Sequence, residues 1–473
     1  DARAFQYLCC ICRESDAFGL AACDLSSGRF ETTEFLSSNG EAQLFDELSR
    51  LNPVEFVVNE RFATDRRFQN YLERQAVTCT VLQESAFSSD TARSFGLKFS
   101  DSDILWPRAS AALLTYLSET QKRTPDQIRD IQPYKIREYM VLDRSTRFNL
   151  EITETIRDRK RRGSLLWAVD RTKTAMGGRL LRSWLEQPLI SRNAIMRRQN
   201  SVAALYERFM LRESLQEALV GLYDIERLSG RIASGSVTPR DLAALRGTLQ
   251  RIPPLLSLLE MEEEEGLSEL RATIHSLPEL TNLLNRSIVE DPPLTITDGG
   301  IIRDGYNADV DELRDITIHG RDYILSLEAK ERDETGIRNL KVGYNRVFGY
   351  YYEVSKGQLD KVPDRYTRRQ TLVNAERFIT PELKEKEDKI IGAEHKLKSL
   401  EYELFTDIRE TVSSHLPKLQ ATARALATLD VLLSFANVAE RHRYCRPTIL
   451  EDNTLSITNG RHAVVEQILS GES

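Results

Sequence analysis

Apolar residues at the start of the chain come in short runs. Residues 5–12 and 19–23 are two such runs, joined by the polar stretch 13–16, and residues 24–29 supply the next turn, a pattern that predicts a hairpin-led sheet. Helical patterns then alternate with a strand candidate at 54–58, and an amphipathic helix over 111–122 closes an α/β domain of about 125 residues. From about 127 to 290 the period becomes helical. Met176, Leu180, Leu181 and Trp184 share one face of a helix that Pro188 ends, and Leu242, Leu245 and Leu249 repeat the spacing, which predicts an all-α domain. Val310, Leu313, Ile316, Ile324 and Leu327 mark a long helix over 309–327. After Pro381, with Thr380 as N-cap, Ile390, Ala393, Leu397, Leu400, Leu404 and Ile408 form a seam of coiled-coil type. A helix from there to about His415 would span about 50 Å. Between the two helices the period is two: Leu340, Val342 and Tyr344, then Tyr350, Tyr352 and Val354, alternate with their neighbours. The simplest construction is a pair of long antiparallel helices carrying a small β module at their far end.

Composition adds bounds. The 473 residues suggest about three domains, and 41% apolar with 29% charged residues describe a folded, helix-rich chain. No apolar run approaches the roughly 18 residues of a membrane helix and no signal peptide opens the chain, which predicts a cytoplasmic protein without a membrane partner. The start at Asp1 reads as a piece of something longer. Six cysteines are too sparse for a disulfide framework, and the C-x-x-C at Cys9–Cys12 reads as buried strand residues rather than a redox or zinc site.

The net charge of -7 speaks against a uniformly basic nucleic-acid binder. Local windows differ. Residues 338–377 hold nine Lys/Arg against four Asp/Glu, a local balance of +5, together with Tyr344, Tyr350, Tyr351, Tyr352 and Tyr366. Such a tip is either a phosphate-gripping surface or a solvated face whose tyrosines build a small core. A second basic window, 157–182, whose core 159–162 could touch phosphate, reads rather as a solvated turn between helices, and the acidic run 262–265 as a solvated helix end. No phosphate loop, G-x-S-x-G or H-E-x-x-H occurs, and the six histidines are scattered. Asp24, Glu55 and Glu60 near strand ends are the weak case for a metal-dependent nuclease.

Several longer stretches resemble one family. Residues 142–151 (LDRSTRFNLE), 174–189 (TAMGGRLLRSWLEQPL), Asp224-Ile225-Glu226-Arg227, Pro239-Arg240-Asp241-Leu242 and 298–307 are similar to the core, or lever, domain of the MutS family of bacterial mismatch-repair proteins. Lys341-Val342-Gly343-Tyr344-Asn345, Gly349-Tyr350-Tyr351 and residues 368–377 (RRQTLVNAER) are similar to its clamp. The resemblance implies a multidomain α+β chain. Its parts would be an α/β, RNase H-like connector without nuclease activity (1–126), an all-α lever (127–300, returning at 393–458), a β clamp on a long antiparallel helix pair (301–392), and the opening of an ATPase domain (459–473). It also implies phosphate contacts from Arg369 and Asn374 first, with Arg368, Gln370, Thr371 and Lys341 behind them. The clamps of the family close over double-stranded DNA without sequence preference, the connector helps contact MutL, the full-length parent is a homodimer, and ATP with Mg belongs to its ATPase domain. No catalysis, cofactor or metal is expected of this central piece. The family's mismatch-reading Phe-x-Glu is matched only by the letters of Phe45-Asp46-Glu47, on a connector helix. The alternative of a different class is a coiled-coil interaction module that does not bind DNA.

Overall fold

The computed structural model describes residues 2–100, 102–121, 131–135, 138–345 and 349–471. Expectations that touch Lys122, the boundary at 126–127 and the charge of Arg346 therefore fall outside the described residues. Contacts divide the chain into two compact units: a larger one of 1–237, 244–278 and 412–473, and a smaller one of 238–243 and 279–411.

The larger unit begins with a mixed sheet of six strands: β1 (Tyr7–Glu14), β2 (Ala17–Asp24), β3 (Arg29–Phe35), β4 (Glu55–Asn59), β5 (Thr78–Leu82) and β6 (Ile131–Pro133), in the order β5-β4-β1-β2-β3-β6. β1, β2 and β3 are antiparallel neighbours, and the remaining pairings are parallel. Both faces of β1 are covered from Tyr7 to Cys12, which is why that stretch is apolar rather than alternating. Leu8, Cys10 and Cys12 pack under the helix Trp106–Gln121, while Tyr7, Cys9 and Ile11 pack with Leu44, Leu48 and Phe68 on the other side. Burial pushes the thiols of Cys9, Cys10 and Cys23 up, and that of Cys12 to about 12, so the C-x-x-C letters mark small hydrophobes. The first hairpin is tighter than the polar stretch 13–16 implies. β1 and β2 pair through Glu14 and Ala17, leaving a two-residue turn in which Ser15 has φ +53°.

The carboxylates of the nuclease reading are separated. Asp24 and Glu55 flank Tyr7 and Leu8 at one end of the sheet, whereas Glu60 follows the opposite end of β4. Asp24 is a turn former, accepting from the Ser26 N–H at 2.9 Å and the Ser27 hydroxyl at 3.1 Å.

Helices of the larger unit pack around Leu416–His442, which touches Ala175–Glu186, Arg192–Glu207, Ile225–Ala233 and Glu265–Thr273. By length and composition this central helix passes the test for a membrane span that the sequence reading expected no segment to pass. Its residues are mostly buried in the bundle, and it carries the fully buried polar pair Asp430 and Ser434. Asp430 accepts from the backbone N–H of Lys173 and Thr174 at 2.9 and 2.8 Å and from the Thr174 hydroxyl at 2.7 Å. The core of the basic window, 159–162, is an exposed turn between helices as expected, but the window's other end is not solvated. Arg161 pairs with Asp170, and Arg179 is fully buried. The acidic run also differs: Glu262 is buried against Arg208, and Glu264 caps the helix Glu265–Thr273 through the Leu267 N–H at 2.9 Å. Arg179 and Glu262 take partners from outside their windows, Asp224 and Glu226 for the first and Arg208 for the second, which a local count cannot register.

The smaller unit is the helix pair with its β module. Ala308–Thr335 and Pro381–Ser414 run antiparallel, as the contacts of Arg314 with Glu401 and of Lys330 with Glu382 require. Thr380 caps the second helix through the Leu383 N–H at 3.2 Å. The expected dry seam is realised only in part. Ile390, Ala393 and Ile408 are buried, Leu397, Leu400 and Leu404 are half-buried, and Ile316 on the opposite helix is 40% exposed. Close approach comes instead at Gly320, where an added Cβ would stand 2.5 Å from the Ile390 side chain. Replacing Thr380 with alanine should cost about 1 kcal/mol of helix stability, read as a lower urea midpoint for the transition that includes the β module.

Candidate nucleic-acid interface

Four strands build the module: β7 (Lys341–Asn345), β8 (Gly349–Ser355), β9 (Thr367–Thr371) and β10 (Ala375–Ile379), all antiparallel, in the order β7-β8-β10-β9. Of the alternating positions read from the sequence, Leu340, Val342, Tyr350, Tyr352 and Val354 share one core with Phe378 and with Ile324 and Leu327 of the supporting helix, whereas Tyr344 is 56% exposed. Tyr352 and Tyr366 belong to that core, and burial raises both hydroxyls, so they remain neutral donors. Three acids fasten the module to its stalk. Glu328 accepts the Val342 N–H at 2.8 Å, the buried Glu331 accepts from the Tyr366 hydroxyl at 2.7 Å and Arg365 at 2.6 Å, and Glu387 fills the space that a side chain at Gly349 (φ +78°) would need. Arg332 completes the seam by donating to the Leu340 carbonyl at 2.7 Å.

The charge of the tip is redistributed by these contacts. Arg365 is held by Glu331 and Glu334, and Arg377 by Glu353 at 3.0 Å and by the Gln370 amide oxygen at 2.9 Å, with its guanidinium 4.3 Å above the Tyr351 ring. Arg368 reaches Glu376 at 3.6 Å but remains 64% exposed. Arg338, Lys341, Lys356 and Arg369 are exposed and form no ion pair among the described residues. Arg338 and Lys356 were counted in the basic window but not singled out as site residues, and only their freedom from local acids distinguishes them.

Arg369 owes its position to backbone irregularity. Gln370 faces Arg377 and Arg368 faces Phe378, so Arg369 is an extra residue, a bulge in the strand that forms the edge of the sheet. A bulge re-aims its side chain and leaves local backbone groups unpaired. Arg368, Arg369, Gln370 and Thr371 lie along this edge, and Asn374 ends the turn into β10, where Val373 is 86% exposed. The Asn374 carbonyl accepts from the Lys356 N–H at 3.1 Å, which fixes the turn while the side chain stays exposed. Lys341 is not with them. It sits on β7, three strand spacings or about 14 Å away at the opposite edge. One edge therefore offers guanidinium, amide, hydroxyl and backbone donors, the mixture that phosphate oxygens accept from.

Comparison with known proteins adds an independent line. The family model described as MutS domain III matches residues 145–436, and that described as MutS domain II matches residues 6–129. The chain is 43% identical to a DNA mismatch repair protein MutS from Ruminiclostridium cellulolyticum over 99% of its own length and 54% of that protein's. Identity to the proteins of that name from Acetivibrio thermocellus and Listeria monocytogenes is 42% in each case, covering 100% and 98% of this chain and 55% and 53% of theirs. The chain thus spans about half the length of the curated relatives it matches.

Proposed function

The chain belongs to the MutS family of DNA mismatch repair proteins, and from that membership we propose that its β module grips the phosphate backbone of double-stranded DNA without reading sequence. The observation that carries this reading is the bulged edge strand, which presents Arg369 without an ion-pair partner among the described residues and lines up Arg368, Gln370, Thr371 and Asn374 beside it. In this reading Arg369 and Asn374 lead the contacts and Lys341 reaches a separate phosphate. The helix pair would relay between DNA at its tip and the nucleotide state of an ATPase domain supplied by the longer protein. ATP and Mg would act there, since these 473 residues contain no phosphate loop. MutL as partner of the sheet domain, a homodimer for the whole protein and a cytoplasmic setting complete the proposal.

Two end-blocked duplexes of unrelated sequence test it by fluorescence anisotropy at low salt. Equal affinity for both is expected, weakened by roughly 1 to 2 kcal/mol in the Arg369→Ala, Asn374→Ala double variant. No binding to either duplex, or binding indifferent to the double substitution, would favour the interaction-module reading.

A further inference from the structure

In the helical part of the larger unit lies a cavity of about 820 Å³. Trp184, Leu189, Val202 and Phe435 are among its apolar lining, and Tyr444 and Arg446 line it as well. The volume falls in the range of small-ligand pockets. None of its lining residues is acidic, and two are arginines. Arg446 donates to the side-chain oxygens of Gln199 and Asn200 at 3.2 and 2.7 Å, so its partners are neutral amides. Arg198 is more exceptional. Its guanidinium carbon stands 3.4 Å above the Trp184 ring, and among the described residues it has neither a carboxylate nor a hydrogen-bond acceptor.

A guanidinium has five N–H donors at the edge of its plane. Stacking on indole occupies only the face, and it stiffens the group without satisfying any donor. Burial pushes Arg198 down to about 10, so the half-buried guanidinium is still charged near neutrality. An anion seated in the cavity would accept from those donors while its apolar body covered the walls. We propose that this cavity is a binding site for a small apolar monoanion, an aromatic or branched aliphatic body bearing one carboxylate or sulfonate, with Arg198 as its anchor.

Two dyes separate the anchor from the walls: anilinonaphthalenesulfonate, and neutral N-phenylnaphthylamine, which has the same rings without the sulfonate. The unsubstituted chain should bind both. Arg198→Met, which keeps an apolar side chain over Trp184, should weaken the sulfonate by about tenfold or more and leave the neutral dye unchanged. Failure of the unsubstituted chain to bind the sulfonate overturns the proposal, as does equal sulfonate affinity in the variant or parallel loss of both dyes with the helical circular dichroism intact. Should Arg198→Met not fold, Ala439→Phe, which fills the cavity from the central helix, carries the test. It should abolish binding of both dyes, and retained binding of either places the dye elsewhere and contradicts the site.

Discussion

Replacing Gly177 with alanine should destabilise the larger unit by about 2 to 4 kcal/mol, although alanine is the better helix former by up to about 1 kcal/mol. The reason is one helix turn away from the N-cap. Gly177 faces Asp430 of the central helix so closely that an added Cβ would stand 2.7 Å from its Cγ and 2.9 Å from its Cβ. Asp430 cannot step aside cheaply. It is fully buried and is held by the Lys173 and Thr174 backbone donors and the Thr174 hydroxyl, the same hydroxyl that caps Gly177 at 2.9 Å. Displacing it would strand a buried carboxylate and several donors, each costing about 1 to 3 kcal/mol. Helix propensity and packing therefore predict opposite signs, and a urea midpoint for Gly177→Ala decides between them. A midpoint equal to or above that of the unsubstituted chain would contradict the packing described at this crossing.

Arg179→Met should be at least as costly, about 3 to 5 kcal/mol, because it breaks a buried charge cluster from one side. Arg179 is fully buried and donates to both oxygens of Asp224, at 2.8 and 2.7 Å, to Glu226 at 3.0 and 2.6 Å, and to the Ala2 carbonyl at 2.7 Å. The partners keep some solvent, their side chains being 17% and 21% exposed, which places the expectation at the lower end of that range. The cost should depend on pH in a definite direction. Burial holds the Glu226 carboxyl above its ordinary range while Arg179 pulls it back, so removing Arg179 raises it further. A group whose folded value lies above its unfolded value contributes stability at low pH and loses it as pH rises through the folded value. The deficit of Arg179→Met should accordingly be full at neutral pH and shrink as the solution is acidified through the carboxylate range. Urea midpoints at several pH values measure this, and a deficit that grows on acidification would contradict it.

These two positions also show what the chain discloses before it folds. The Thr380–Pro381 helix start and the period of two around Tyr350–Tyr352–Val354 are local signals, and the structure follows them residue for residue. The identity of Gly177 and Arg179 as structural anchors is not local. Their partners lie 253 and 45 residues away, and the helical pattern over 176–184 discloses neither the close approach at Gly177 nor the acids that meet Arg179. The candidate interface was legible in the same uneven way. Charge, tyrosines and the strand pattern located the β module, but which of its cations are occupied depends on acids brought from the supporting helix and neighbouring strands, such as Glu331 for Arg365 and Glu353 for Arg377. The bulge that frees Arg369 is a property of cross-strand register, which no single strand encodes.

The central claim is that the edge carrying Arg369 holds DNA by its phosphates. Each phosphate contact releases condensed counterions, so the logarithm of the binding constant falls linearly with the logarithm of salt concentration, by about 0.9 per contact on duplex DNA. The most direct measurement is that slope for the unsubstituted chain and for Arg369→Ala on one end-blocked duplex. The account predicts a steep slope that becomes shallower by about one in the variant, whatever the duplex sequence. An unchanged slope, with affinity also unchanged, would remove Arg369 from the interface and contradict the claim.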